Sequence, residues 1–360
     1  GHIPAHYSQH GSSLVFDYLD SPQSPQYPFG HGLSYTSFEY KNISISAETI
    51  QAGQTVDMKF TLTNRGQREG TEISHVYVSG EEFDIARADI GLFSAGGSVS
   101  ARYAPRAAEA GCVVIDNTSE FRYEEDIPLI VPEVNAHRLG DYKNRNIIAN
   151  PNCSTIQMML ALKPIHDESE IERVNVATYQ AVSGAGAGGV RELAAQTANL
   201  LNTKPIESNV MPVQIAFNAI PHINTFEENG YTLEEMKMVW ETKKILEDDS
   251  IQVNPTCVRI PVFYVHSEAV NIETKEPITK TRAEELLEAA PGVELFRDNG
   301  YPTAVTDAAG KDSVYVGRVR EDISCDKGLN LWVVSDNVRK GAALNSIQIA
   351  EVLKDSLSNA

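Results

Sequence analysis

Asn150-Pro151-Asn152-Cys153-Ser154-Thr155-Ile156-Gln157 is the stretch on which the reading of this chain turns. Just before it, Asn146 to Ala149 reads as a short buried strand, which Pro151 breaks. From Ser154 onward the apolar positions Ile156, Met159, Leu160 and Leu162 fall at helical spacing. Cys153 therefore lies where a strand turns into a helix, at the positive end of the helix dipole and beside unpaired backbone N–H groups. Both effects favour a thiolate. A thiolate there is a nucleophile, and the N–H groups with Asn152 are placed to hold an oxyanion. The same residues also fit a plain buried cysteine at a βα junction, because free cysteines are among the most buried side chains.

The chain has 360 residues, room for roughly two or three domains. Its net charge of -19 argues against a nucleic-acid surface, which needs clustered Lys and Arg. No apolar run approaches the roughly 18 residues of a membrane span. The start, Gly1-His2-Ile3-Pro4, has neither the basic nor the apolar part of a signal peptide, and no initiator Met. Cys112, Cys153, Cys257 and Cys325 are widely spaced, which suggests neither a metal site nor a disulfide framework and favours a reducing, cytoplasmic setting.

Residues 1–80 differ in character from the rest. Residues 1–36 are rich in Tyr, Ser, Pro, Gly and His, and three β-like runs follow: Phe38 to Ser46, Thr55 to Asn64 and Glu72 to Ser79. In the second, Val56, Met58, Phe60 and Leu62 alternate with polar residues as in a half-buried strand. Tyr27-Pro28-Phe29-Gly30-His31-Gly32-Leu33-Ser34-Tyr35-Thr36 resembles the end of the catalytic region of family 3 glycoside hydrolases. The stretch Phe38 to Ser79 resembles the first half of their fibronectin-III-like domain, although such a sandwich needs roughly seven strands. The family's catalytic carboxylates lie outside this stretch, so Asp17, Asp20 and Glu39 read as surface residues.

From residue 83 the rhythm changes. Ala88 to Phe93 reads as a strand, Ser94-Ala95-Gly96-Gly97-Ser98 as a small-residue turn, Ala104 to Ala110 as a helix and Cys112 to Ile115 as a strand. This alternation indicates a parallel sheet with crossover helices. Ile127 to Val134 and Val174 to Tyr179 are strand-like, and Gly188 to Leu201 and Thr232 to Leu246 are amphipathic helices. Glu234 and Lys237, three apart, share a helix face, where a solvated ion pair is the ordinary reading. Val258 to Ile272 reads as one strand carrying Arg259 and His266 seven apart, hence on opposite faces unless a bulge or bend intervenes. Thr281 with Glu284 suggests a capping box for a helix through Ala289. A strand, Leu329 to Val334, and a helix, Ala342 to Leu357, close the chain.

Over about residues 83–360 these motifs together resemble aspartate-semialdehyde dehydrogenases. The resemblance rests on Ser94 to Ser98, Asn150 to Thr155, Thr178-Tyr179-Gln180-Ala181-Val182-Ser183-Gly184, Cys257 to Val262 with His266-Ser267, and Asp336-Asn337-Val338-Arg339-Lys340-Gly341-Ala342-Ala343. It implies reductive dephosphorylation of aspartyl 4-phosphate with NADPH in lysine, threonine and methionine biosynthesis, by a homodimer. By resemblance, Cys153 is the nucleophile, His266 the acid/base and Gln180 a group that positions the acyl carbon or the sulfur. Arg259 takes the substrate α-carboxylate, Glu234 its amino group, and Arg122, Asn152 and Lys237 the phosphate. Ser94, Gly96, Gly97, Ser183, Gly184 and Asn337 line the cofactor, and no metal is implied.

The expected fold is α/β. It has a truncated Rossmann-like NADP-binding domain at 83–150 and 329–360, an α+β catalytic and dimerisation domain with a mixed sheet at 151–328, and a partial β-sandwich-like segment at 1–80. The family's opening GxxGxxG-type phosphate turn does not occur in this sequence, so cofactor binding and activity are expected to be impaired. Val265 stands where the family usually carries Gly before the histidine, and a φ above zero there would strain it. Two alternatives are an inert fusion of two truncated modules and a related acyl-phosphate reductase. Glu234, suited to a free amino group, speaks against the second.

Overall fold

The structure, a computed structural model, describes residues 38–45, 58–65, 88–298 and 300–358. The chain divides into two compact units, Gly1–Asp84 and Ile85–Ala360. In the first, β1 (Phe38–Ile45) and β2 (Met58–Asn64) pair antiparallel, with Phe38 opposite Asn64. The third expected run, Glu72 to Ser79, and the stretch 27–36 lie outside the described residues.

The second unit opens with β3 (Ile90–Phe93), α1 (Gly97–Glu109), β4 (Val113–Asp116), the single turn α2 (Pro132–Asn135) and β5 (Ile147–Ala149). The three strands form a parallel sheet in the order β3-β4-β5. β4 and β5 are buried throughout, which is why they read as unbroken apolar runs. Ile127 to Val134, expected as a strand, is not one. Only Leu129 bridges to Ala149, and Pro128 and Pro132 remove the N–H groups that a ladder requires.

There follow α3 (Cys153–Ser169), β6 (Ile171–Gln180), α4 (Gly186–Leu201), α5 (Leu233–Leu246), β7 (Gln252–Arg259), β8 (His266–Thr274), α6 (Lys280–Ala289), β9 (Val293–Leu295), β10 (Val314–Glu321), β11 (Gly328–Ser335) and α7 (Leu344–Ser358). Six strands make a mixed sheet in the order β7-β6-β8-β11-β10-β9. Helices α3, α5 and α6 pack on it, and α3 is buried at every position from Ser154 to Leu162. On the open face, Asn254, Asn175, Asn271 and Asn330 stand in one row across β7, β6, β8 and β11, linked amide to amide.

Two boundaries differ from the sequence reading. Residues 329–335, grouped by sequence with the nucleotide-binding part, form most of β11 inside the six-stranded sheet. Only α7 returns to the three-stranded sheet, where Ile349 and Leu353 pack with Val113, Ile115 and Ile148. The expected single strand from Val258 to Ile272 is two strands, β7 and β8, which flank β6 on opposite sides. The cap of α6 is Thr279, whose side chain accepts from the Arg282 N–H, because the helix starts two residues before the expected box. Glu284 instead pairs with Lys280 and Arg297. A capping box does form on α5, from Thr232 with Glu235.

Candidate active site

β6 is the strand from which the site is built. Its last residue, Gln180, is register partner to Arg259, the end of parallel β7, and to His266, the start of antiparallel β8. The seven-residue spacing of Arg259 and His266 is therefore the crossing from one side of β6 to the other, and one rung carries all three side chains. The next residue, Ala181, fastens both neighbours. Its N–H donates to His266 Nδ1 at 3.0 Å, and its carbonyl accepts from Arg259 Nη1 at 2.6 Å.

This arrangement fixes the state of His266. Burial, with the Arg259 guanidinium beside it, pushes the imidazole down to about 3, so it is neutral at working pH. An ordinary imidazole titrates near neutrality; this one does not, because the ring is wholly desolvated. With Nδ1 accepting, the proton sits on Nε2, which has no hydrogen-bond partner among the described residues. A Cβ built on Gly184 would lie 2.9 Å from Arg259 Nη1 and 3.4 Å from His266 Nε2, so glycine leaves the space over both open.

Cys153 begins α3, and Asn152 is the cap. The Asn152 Oδ1 accepts from the Ser154 and Thr155 N–H groups, so two of the donors expected to help the sulfur are already occupied. The thiol is not activated at rest. Burial first and the Glu234 carboxylate second push it up to about 12, outweighing Arg259, Arg122 and Lys237. The expected thiolate reckoned with the helix dipole and missed the desolvation. A Cβ on Gly341 would lie 3.0 Å from Cys153 Cβ, so the segment 339–343 rests directly on the sulfur's stem.

Glu234 is the hub. Its Oε1 accepts from Asn152 Nδ2 at 2.8 Å and Gln180 Nε2 at 3.1 Å, and its Oε2 from Lys237 Nζ at 3.1 Å. Burial alone would raise this carboxyl; Lys237 and the hydrogen bonds from Asn152 and Gln180 hold it down at about 2. The Glu234–Lys237 pair is almost buried rather than solvated. Arg122 is engaged as well: Nη1 donates to Glu241 Oε1 at 3.0 Å and Nη2 to the Asn117 carbonyl, which leaves Nε without a partner among the described residues. Glu241 was not found in the sequence. It also accepts the Asn152 N–H at 2.6 Å, and its signal was its position two helical turns beyond Glu234, on the same face.

Asn337 Oδ1 accepts from Ser183 Oγ at 3.1 Å and from the Val265 N–H at 2.9 Å, tying Ser183 and the residue before His266 to one amide. Val265 has φ +81° and is fully buried, so the anticipated strain is present. Ser94, Gly96 and Gly97 lie at the turn into α1. Gly96 has φ +107°, and the helix start has no side-chain cap and no acidic residue in its first turn. Uncapped N–H groups at a helix start suit a phosphate. The open space at Gly184 and the unpartnered His266 Nε2 suit a planar ring above the rung. Among the described residues no three His, Cys, Asp or Glu side chains are grouped to hold a metal.

A half-buried cysteine at a strand-to-helix turn, a neutral histidine at the end of the rung and an uncapped helix start suit an oxidoreductase that uses a nucleotide. Comparison with known families agrees. Residues 162–340 match the semialdehyde dehydrogenase dimerisation domain, and residues 32–142 the NAD binding domain of the same enzymes. The chain belongs to the aspartate-semialdehyde dehydrogenase family. It is 64% identical to aspartate-semialdehyde dehydrogenase 2 of Vibrio cholerae over 273 residues, 76% of this chain and 81% of that protein. It is 54% identical to the Aquifex aeolicus enzyme over 319 residues, 88% and 92% of the two. The crystal structure of the Vibrio cholerae enzyme II complexed with ASA superposes with a TM-score of 0.76, covering 76% of this chain and 82% of that one.

Proposed function

We propose that this chain is an NADP-dependent aspartate-semialdehyde dehydrogenase, converting aspartyl 4-phosphate to the semialdehyde through a thioester on Cys153. The rung Arg259–Gln180–His266 beside Glu234 is the observation that carries the reading. Arg259 binds the substrate α-carboxylate, and Glu234, anionic far below neutral pH, takes its ammonium. That ammonium offsets one of the charges holding the thiol protonated. Cys153 Sγ then bonds to the acyl carbon, the bond from that carbon to the phosphoryl oxygen breaks, and the thiol proton leaves with the phosphate. Arg122 Nε, the remaining Lys237 N–H groups and Asn152 receive that phosphate. The second Gln180 amide N–H, not given to Glu234, steadies the acyl group.

A nicotinamide, held by Ser183, Gly184 and Asn337, with Ser94, Gly96 and Gly97 toward its phosphates, supplies hydride when bound. His266 Nε2–H donates a hydrogen bond to the acyl oxygen as negative charge develops there, and the sulfur, leaving as thiolate when the C–S bond breaks, takes back a proton from solvent. The dimerisation-domain match over 162–340 supports a homodimer. Impaired cofactor affinity, and residues 1–80 as a glycoside-hydrolase fragment, are part of the same proposal. NADPH fluorescence titration and binding to immobilised β-glucan test them. The deciding experiment is NADP-dependent oxidation of aspartate semialdehyde in the presence of phosphate. Wild type is expected to turn over and Cys153→Ala to lose at least about a thousandfold. Equal activity in Cys153→Ala, or none in wild type at saturating cofactor, overturns the reading.

A further inference from the structure

Beneath the reactive rung lies a second polar rung. Two residues before Gln180 and Arg259, and two after His266 on antiparallel β8, Thr178 on β6 is register partner to Cys257 on β7 and Glu268 on β8, and all three are fully buried. The next rung of this face, Pro255–Val176–Val270, is apolar, so polarity in the sheet stops one layer below the site. Thr178 Oγ1 donates to Gln180 Oε1 at 3.0 Å. This bond leaves the Gln180 amide one orientation, with Nε2 toward Glu234 and its other N–H free.

We propose that Thr178 is the positioning residue for Gln180, its hydroxyl holding the amide in register while Glu234 is shared. Glu234 already serves Asn152 and Lys237, and under the function proposed above it also takes the substrate ammonium. As that carboxylate is divided among partners, it holds Gln180 less firmly. The Thr178 hydroxyl holds the amide oxygen without drawing on that carboxylate. Cys257 Sγ lies against the same hydroxyl, and Glu268 faces Gln157, one turn along α3 from Cys153. The second rung thus backs both the amide and the helix that bears the sulfur.

Thr178→Val keeps the shape and removes the donor; Thr178→Ser keeps the donor. In semialdehyde oxidation, Thr178→Val is expected to lose roughly tenfold in kcat with KM within about twofold, the scale of one buried hydrogen bond. Thr178→Ser should stay within about threefold of wild type. Thermal melting of both variants identifies any that fail to fold. The Gln180 side-chain amide resonance, assigned by its absence in Gln180→Met, is read in parallel. It should shift in Thr178→Val and remain in place in Thr178→Ser. An unmoved resonance with wild-type kcat in Thr178→Val overturns the proposal, as does a Thr178→Ser variant as impaired as Thr178→Val. If wild type itself does not oxidise the semialdehyde, the functional reading falls, and the amide resonance alone decides the role of Thr178.

Discussion

At the scale of single residues, the two groups whose chemistry matters most are held away from their ordinary charge states. His266 is pushed down to about 3 and Glu234 to about 2, both below their unfolded values of 6.5 and 4.5. The folded chain therefore binds fewer protons than the unfolded one in acid. The stability these groups contribute is present above about pH 6.5 and declines as pH falls, through His266 from 6.5 toward 3 and through Glu234 from 4.5 toward 2. Urea melts across this range should show that decline, and His266→Gln should flatten its upper part. Val265 offers a second test. A β-branched residue at φ +81° costs on the order of 1–3 kcal/mol. Val265→Gly relieves that strain but gives up a buried side chain and adds unfolded-state entropy, so the net change is expected to stay within about 1 kcal/mol. If kcat falls while stability scarcely moves, the strain was spent on aiming His266. The sequence showed the types of these residues but not their protonation, because desolvation depends on everything packed around a side chain.

At the scale of elements, the short segment 339–343 does more than join β11 to α7. Lys340 is fully buried and donates to both oxygens of Glu133, to Asn345 Oδ1 and to Gln348 Oε1. It pins the segment so that Gly341 lies against Cys153. Lys340→Met strands the Glu133 carboxylate and should cost about 3 kcal/mol in chemical denaturation. Adding Glu133→Gln should recover part of that loss. Gly341→Ala should slow turnover and iodoacetamide labelling of Cys153 more than it lowers the melting temperature. The helices were the most legible elements, since their 3.6-residue spacing is local. α4, α5 and α7 begin and end close to where periodicity puts them, and α3 begins there. The cap of α6 was misread because Thr279 and Thr281 are chemically equivalent candidates, and only the backbone decides between them. Val314 to Glu321 went unassigned, since β10 takes its partners from β9 and β11 on either side of it in the chain.

At the scale of the whole molecule, the parallel three-stranded sheet was legible from the βα rhythm, but the order of the six-stranded sheet was not. That order places residue 180 between residues 259 and 266, and no local pattern encodes which strand inserts between which. The Asn254–Asn175–Asn271–Asn330 row, on the face opposite α3, is an unusual surface to leave to water. Sedimentation should give twice the 39.5 kDa chain mass, and Asn175→Lys should shift it toward one. The rung itself has a further consequence. Side chains along a strand alternate in direction, so a one-residue slip of β6 turns Gln180 and Thr178 away together and takes Ala181's two fastenings with them. A damaged site therefore has no half-built form. The residual activity of an aged or partly denatured sample is a head count of intact molecules, each working at full rate, rather than an average over weakened ones.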